Sequence, residues 1–140
     1  MQDEGVPEEV ARVGREIILA NDAFYAAFES LDAARMDAVW SHDDSARCVH
    51  PGARILLGWD AVRESWAAIL HGAEMLRFSV TDVHAQGGRD FALVTCVENI
   101  IHLAGGQPSY ATFQAVNAFR RTGEGWRMVL HHASPFSIEA

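Results

Sequence analysis

Three glycine-rich breaks punctuate the second half of this chain, and they constrain its architecture more than any other feature. Gly87-Gly88, Gly105-Gly106 and Gly123-Glu-Gly125 separate stretches in which apolar and polar residues alternate. A period of two belongs to a half-buried strand, and glycine between such runs marks a hairpin turn. Leu76, Phe78 and Val80 alternate with Arg77, Ser79 and Thr81; residues 90–103, 109–121 and 126–134 make the later runs. The second half therefore predicts a four-stranded antiparallel meander.

The first half carries the other period. Val10, Val13, Ile17, Ala20, Phe24, Phe28 and Leu31 recur every three or four residues, which predicts one long amphipathic helix from residue 8 to about 31. Asp32 opens a second, short helix with Met36, Val39 and Trp40 on its buried stripe, and Ser41-His-Asp-Asp-Ser45 ends it. Residues 46–50 read as a strand stopped by Pro51-Gly52, and 55–57 as a second one. Asp60 is a suitable N-cap for a third helix carrying Val62, Trp66, Ile69 and Leu70, closed by Gly72. A lead-in over residues 1–8 and a tail over 137–140 flank one domain at 9–136. Helices segregated on one face of a curved sheet make an α+β fold. The hollow beneath such a sheet is where a small ligand is expected.

Composition excludes several functions. Eleven basic against nineteen acidic residues leave a net charge of −8, which argues against nucleic acid or an anionic membrane as partner. All eleven basic residues are arginine, so Schiff-base chemistry and a phosphate-loop lysine are out. No apolar run is long enough to span a bilayer. The acidic N-terminus lacks the apolar core of a secretory signal, and Cys48 and Cys96 read as two small buried residues in a reducing compartment. A cytoplasmic protein is expected.

Strand alternation selects the candidate chemical groups. On the third strand of the meander Ala111, Phe113, Ala115, Asn117 and Phe119 share the inward face. Asn117 is then an amide among aromatics, which needs a hydrogen bond from a neighbour or from a ligand. On the second strand Val94, Cys96 and Ile100 share a face with Glu98, whose carboxyl would be raised in pKa by desolvation. Its alternative partners are Arg120, Arg121 or a histidine. His50 ends a strand ahead of Pro51-Gly52 and points an imidazole at the cavity mouth. Tyr25 and Tyr110 are further donors of unfixed direction. His50, Glu98 and a third-site histidine lack any local metal-ligand spacing, so no metal is expected.

The ordered set Ala23-Phe-Tyr-Ala-Ala-Phe28, Asp37-Ala-Val-Trp40, Cys48-Val-His-Pro-Gly52, Leu57-Gly-Trp-Asp60 with Glu64-Ser-Trp66, and Gly125-Trp-Arg-Met-Val-Leu-His-His-Ala-Ser-Pro135 resembles the SnoaL-like branch of the nuclear transport factor 2-like superfamily. The likeness runs over residues 10 to 136. It implies a cystatin-like cone: a curved, mixed but mainly antiparallel sheet wrapped around a long N-terminal helix, commonly dimeric, with one pocket. The catalytic carboxylate of the ketosteroid isomerase relatives falls at His50 here, and their helix-one tyrosine falls near Phe24. The pocket arginines of the kinase hub relatives fall at Glu98, Asn117 and Ala133. That registration favours His131 as the inward member of the His131-His132 pair, whereas apolar content favours the face with Trp126, Met128, Leu130 and His132. The expected acid–base set is His50, Glu98 and His131. The expected ligand wall is Asn117, Trp66, Phe113, Phe119, Val62, Phe24, Trp40 and His132. The implied function is binding of a small apolar or carbonyl-containing molecule, with cofactor-independent isomerisation, dehydration or cyclisation; the alternative is a non-catalytic binding or dimerisation module.

Overall fold

A computed structural model describes residues 7–137; the expected lead-in and tail lie almost wholly outside them. The long helix forms as the apolar spacing predicts: α1 runs Glu8–Ser30 and buries Val13, Ile17, Asn21, Phe24, Tyr25 and Ala27. Val10 stays 59% exposed, so the buried stripe starts one turn later than its spacing suggested. Leu31, at φ 59, closes the helix in the left-handed conformation. The Asp32 carboxylate then accepts from the Ala34 amide at 2.9 Å and starts α2, Ala33–Val39. The third helix, α3, starts at Trp59 and ends at His71. Its N-cap is Gly58 rather than Asp60: at φ 88 the backbone there takes a turn that glycine alone takes cheaply.

Six strands form one sheet: β1 Arg47–Val49, β2 Leu56–Leu57, β3 Met75–Gly87, β4 Phe91–Ala104, β5 Gln107–Thr122 and β6 Gly125–Pro135. Their order is β2-β1-β6-β5-β4-β3. The four long strands are the antiparallel meander. The short β1 joins it in parallel along β6, pairing Cys48 with His131, which makes the sheet mixed. The sheet is not closed, and α1 lies on its inner face as an α+β cone. No described helix is long and apolar enough to cross a membrane.

One irregularity decides the site. Ala118 pairs with Leu130 but Phe119 pairs with Met128, so Val129 is an extra residue on β6. This bulge resets the alternation. Met128, His131 and Ala133 are all buried, while His132 is exposed. The apolar reading that grouped Met128 with His132 assumed an unbroken strand.

Candidate functional site

Five polar side chains that share the interior are less than one-tenth exposed: Asn21, Tyr25, Glu98, Asn117 and His131. Each arrives by a simple local rule. Asn21 and Tyr25 lie four residues apart on α1, hence on one face, one turn above Ile17. Glu98 and Asn117 occupy inward positions of β4 and β5, and His131 faces Asn117 across the β5–β6 ladder.

These groups form a nearly closed circuit. Asn117 Nδ2 donates to Asn21 Oδ1 at 2.9 Å and to Tyr25 Oη at 3.1 Å. Tyr25 Oη donates to Glu98 Oε2 at 2.5 Å and lies 3.4 Å from Cys96 Sγ. His131 Nδ1 lies 2.7 Å from Asn117 Oδ1, and its Nε2 is 4.0 Å from Glu98 Oε2. No arginine enters: Arg120 pairs with Asp43 at 2.9 Å and Arg121 with Glu16 at 3.4 Å. The partners of Glu98 are therefore a phenol and an imidazole.

Burial sets the charges. Desolvation pushes the Glu98 carboxyl up to about 7, against a smaller lowering by the Tyr25 hydrogen bond. Desolvation, with the nearby His50 and His132, pushes His131 down to about 3. The Tyr25 hydroxyl and the Cys48 and Cys96 thiols are all raised by burial, which leaves them neutral. Both cysteines are free and buried, as small core residues.

His50 stands at the edge of this circuit, half-buried at the end of β1. Its Nε2 lies 2.9 Å from Ser65 Oγ, and Ser65 Oγ lies 2.7 Å from the Val62 carbonyl. With the Ser65 hydrogen given to that carbonyl, His50 Nε2–H donates to Ser65 and Nδ1 keeps its lone pair. Desolvation lowers its pKa, which favours the neutral base. Its ring stands edge-on to Trp66 at 4.8 Å.

Aromatic rings occupy most of the space expected to be hollow. Phe24 contacts Tyr25, Phe28, Trp66 and His131 at centroid distances of 4.7 to 5.9 Å, and Phe28 lies 4.5 Å from Phe78. The prominent surface hollow of about 470 Å³ lies elsewhere, between the start of α1 (Val10, Val13, Ile17) and the β3–β4 turn (Ala85, Gly87). His50, Phe28, Phe78 and Phe113 are each half-buried, so part of each side chain reaches the surface.

The structure thus brings His50, Glu98, His131, Asn117, Trp66 and Phe24 together, with Val62 buried behind Ser65. Trp40 and Phe119 are core residues that both meet Met128. His132 is a correction: the bulge turns it to the outer face. Asn21 is the residue that sequence reasoning missed, and Tyr25, a donor of unfixed direction in the sequence, is turned inward onto Glu98. The hydroxyl sought near Phe24 is supplied one residue later. The i, i+4 spacing of Asn21 and Tyr25 was the signal available for Asn21, and it also fixes the direction of Tyr25.

The fold and this interior define an α+β cone of the nuclear transport factor 2-like superfamily. Residues 17–139 match the model of the SnoaL-like domain, and the chain belongs to that family. A Streptomyces avermitilis structure, named as a proposed dehydratase of the nuclear transport factor 2-like family, is 35% identical, with 89% of this chain and 96% of that one covered and a TM-score of 0.84. A Thiobacillus denitrificans structure, named as a proposed association domain of calcium/calmodulin-dependent protein kinase type II, is 39% identical over 84% of this chain and 93% of that one, with a TM-score of 0.74. The F-box protein SKIP8 of Arabidopsis thaliana is 26% identical over 125 residues, 89% of this chain. The chain spans about half, 52%, of that curated relative's length.

Proposed function

We propose that this chain binds a small, neutral, largely apolar carbonyl compound at the His50–Phe28–Phe78 rim and dehydrates it without a cofactor. The observation that carries the reading is Glu98: a carboxyl only 2% exposed, with no cationic partner, held in its acid form up to about pH 7. A neutral carboxylic acid is a proton donor suited to a leaving hydroxyl. His50 Nδ1 takes the proton on the carbon next to the carbonyl, the carbon–carbon double bond forms, and the carbon–oxygen bond breaks. The Glu98 proton leaves with the hydroxyl as water. Tyr25 Oη, already donating to Oε2, holds the carboxylate that remains. Passing the His50 proton back to Glu98 resets the site. Trp66 Nε1 is buried without a hydrogen-bond partner among the described residues, and a ligand oxygen would satisfy it. The dehydratase naming of the 35% identical relative points the same way.

The test is enone formation from an aromatic β-hydroxy ketone, 4-hydroxy-4-phenylbutan-2-one, followed by absorbance. Glu98→Gln and His50→Gln are each expected to lower the rate about 10²–10⁴-fold, the usual worth of one positioned acid or base. No turnover by the unaltered protein, or equal turnover by Glu98→Gln, overturns the reading. We place the protein in the cytoplasm as a homodimer.

A second reading, a non-catalytic association module, is favoured by the 39% identical relative. It is also favoured by apolar groups along β4 and β5: Tyr110 is 75% exposed and Ile101 38%.

A further inference from the structure

Two buried amides take no part in the chemistry above. Asn117 is 0% exposed and Asn21 1%. Asn117 Nδ2 meets two acceptors, Asn21 Oδ1 at 2.9 Å and Tyr25 Oη at 3.1 Å. Turning the Asn117 amide over would set two carbonyl oxygens against each other at that separation. It would leave buried groups unsatisfied, at about 1–3 kcal/mol each. The Asn21 amide also lowers the Cys96 thiol, the sense expected of an N–H turned toward the sulfur. Asn117 Oδ1 therefore faces His131, and His131 Nδ1, 2.7 Å away, carries the hydrogen. A neutral imidazole protonated at Nδ1 has its lone pair at Nε2, and that atom is 4.0 Å from Glu98 Oε2.

We infer that Asn21 is a positioning residue: acting through Asn117, it fixes His131 as the Nδ1–H tautomer, so that the bare Nε2 is the side turned to the Glu98 carboxyl, 4.0 Å away. The catalytic meaning rests on the dehydratase reading; the tautomer does not. Among the described residues, these titratable groups face the pair. Tyr25 approaches from α1, Cys48 from β1, His50 from just after it, Cys96 from β4, and His132 adjoins on β6. None supplies a fixed positive charge that would hold Glu98 ionised. Glu98 raised and His131 lowered by burial agree with a neutral acid facing a neutral base.

The experiment is nitrogen-15 and carbon-13 NMR of histidine- and glutamate-labelled protein without substrate, followed by a pH titration. In the unaltered protein His131 is expected to show a protonated Nδ1 and a bare Nε2. Asn21→Leu frees the Asn117 amide to turn. The tautomer then moves to Nε2–H, whose N–H dipole points at the carboxylate and favours its charged form, and the Glu98 titration falls by about one pH unit. Asn21→Asp keeps an acceptor toward Asn117 and is expected to restore Nδ1–H. An Nε2–H signal in the unaltered protein overturns the inference. So does a folded Asn21→Leu that keeps Nδ1–H; if it does not fold, the other two spectra decide. A protein with the expected tautomer that makes no enone would end the dehydratase reading and leave this inference standing.

Discussion

Glu98 and His131 respond to the same burial in opposite senses, and their effects on stability overlap in pH. The Glu98 carboxyl rises from 4.5 to about 7 on folding. The folded protein then holds the proton more tightly, so its contribution is complete below pH 4.5 and is lost as pH climbs to about 7. His131 drops from 6.5 to about 3. Its contribution is present above pH 6.5 and is lost as pH falls towards about 3. Between pH 4.5 and 6.5 the two slopes cancel. Glu98→Gln removes one of them, so its unfolding free energy in urea titrations should climb with pH across that interval, by about 1.4 kcal/mol per pH unit. His50, also lowered by burial, adds to that rise. His131→Gln, which keeps the Glu98 slope, should show a fall that His50 at most flattens. Superimposable pH profiles for Glu98→Gln and the unaltered protein would mean that Glu98 does not titrate inside the fold. At this scale the sequence was informative wherever alternation was regular. Glu98 and Asn117 follow from the period of two on β4 and β5. Asn21 and Tyr25 do not follow from an apolar stripe, because a polar residue on a buried helix face is justified only by a partner some 70 to 100 positions away.

The elements themselves were read closely, and their departures have local causes. Helix α3 begins at Trp59 because Gly58 makes the turn. The glycine breaks fall where the hairpins do, and Gly87 has a packing reason as well. A Cβ there would lie 2.7 Å from the Phe91 carbonyl oxygen and 2.8 Å from Ala92 Cα. Backbone cannot yield as a side-chain tip does, so Gly87→Ala is expected to destabilise by about 1–3 kcal/mol, read as a lower urea midpoint. An unchanged midpoint would mean that the β3–β4 hairpin is looser than its geometry. The Val129 bulge was not legible at all. No glycine or proline marks it, and an alternation read from the sequence alone assumes an unbroken strand.

For the whole molecule, the order of helices and strands was legible and the filling of the interior was not. Close packing depends on how rings from α1, α3 and β3 meet, and pattern alone carries no volume. The two functional readings separate at this scale. A catalytic cone keeps its activity when its outer sheet face is altered; an association module does not keep its assembly. Tyr110→Glu, at a residue 75% exposed, is expected to weaken self-association in sedimentation while leaving enone formation within twofold. A single species of monomer mass for the unaltered protein would remove the homodimer.

The unpaired residue on β6 also bears on how chains of this kind vary in length. With Val129 removed, Met128 and Leu130 become neighbours opposite Phe119 and Ala118, which are already neighbours. The ladder then closes without interruption, and Met128, His131 and Ala133 keep their inward places. A relative one codon shorter at this point would carry the same interior set, so a gap there in an alignment signals no change of chemistry.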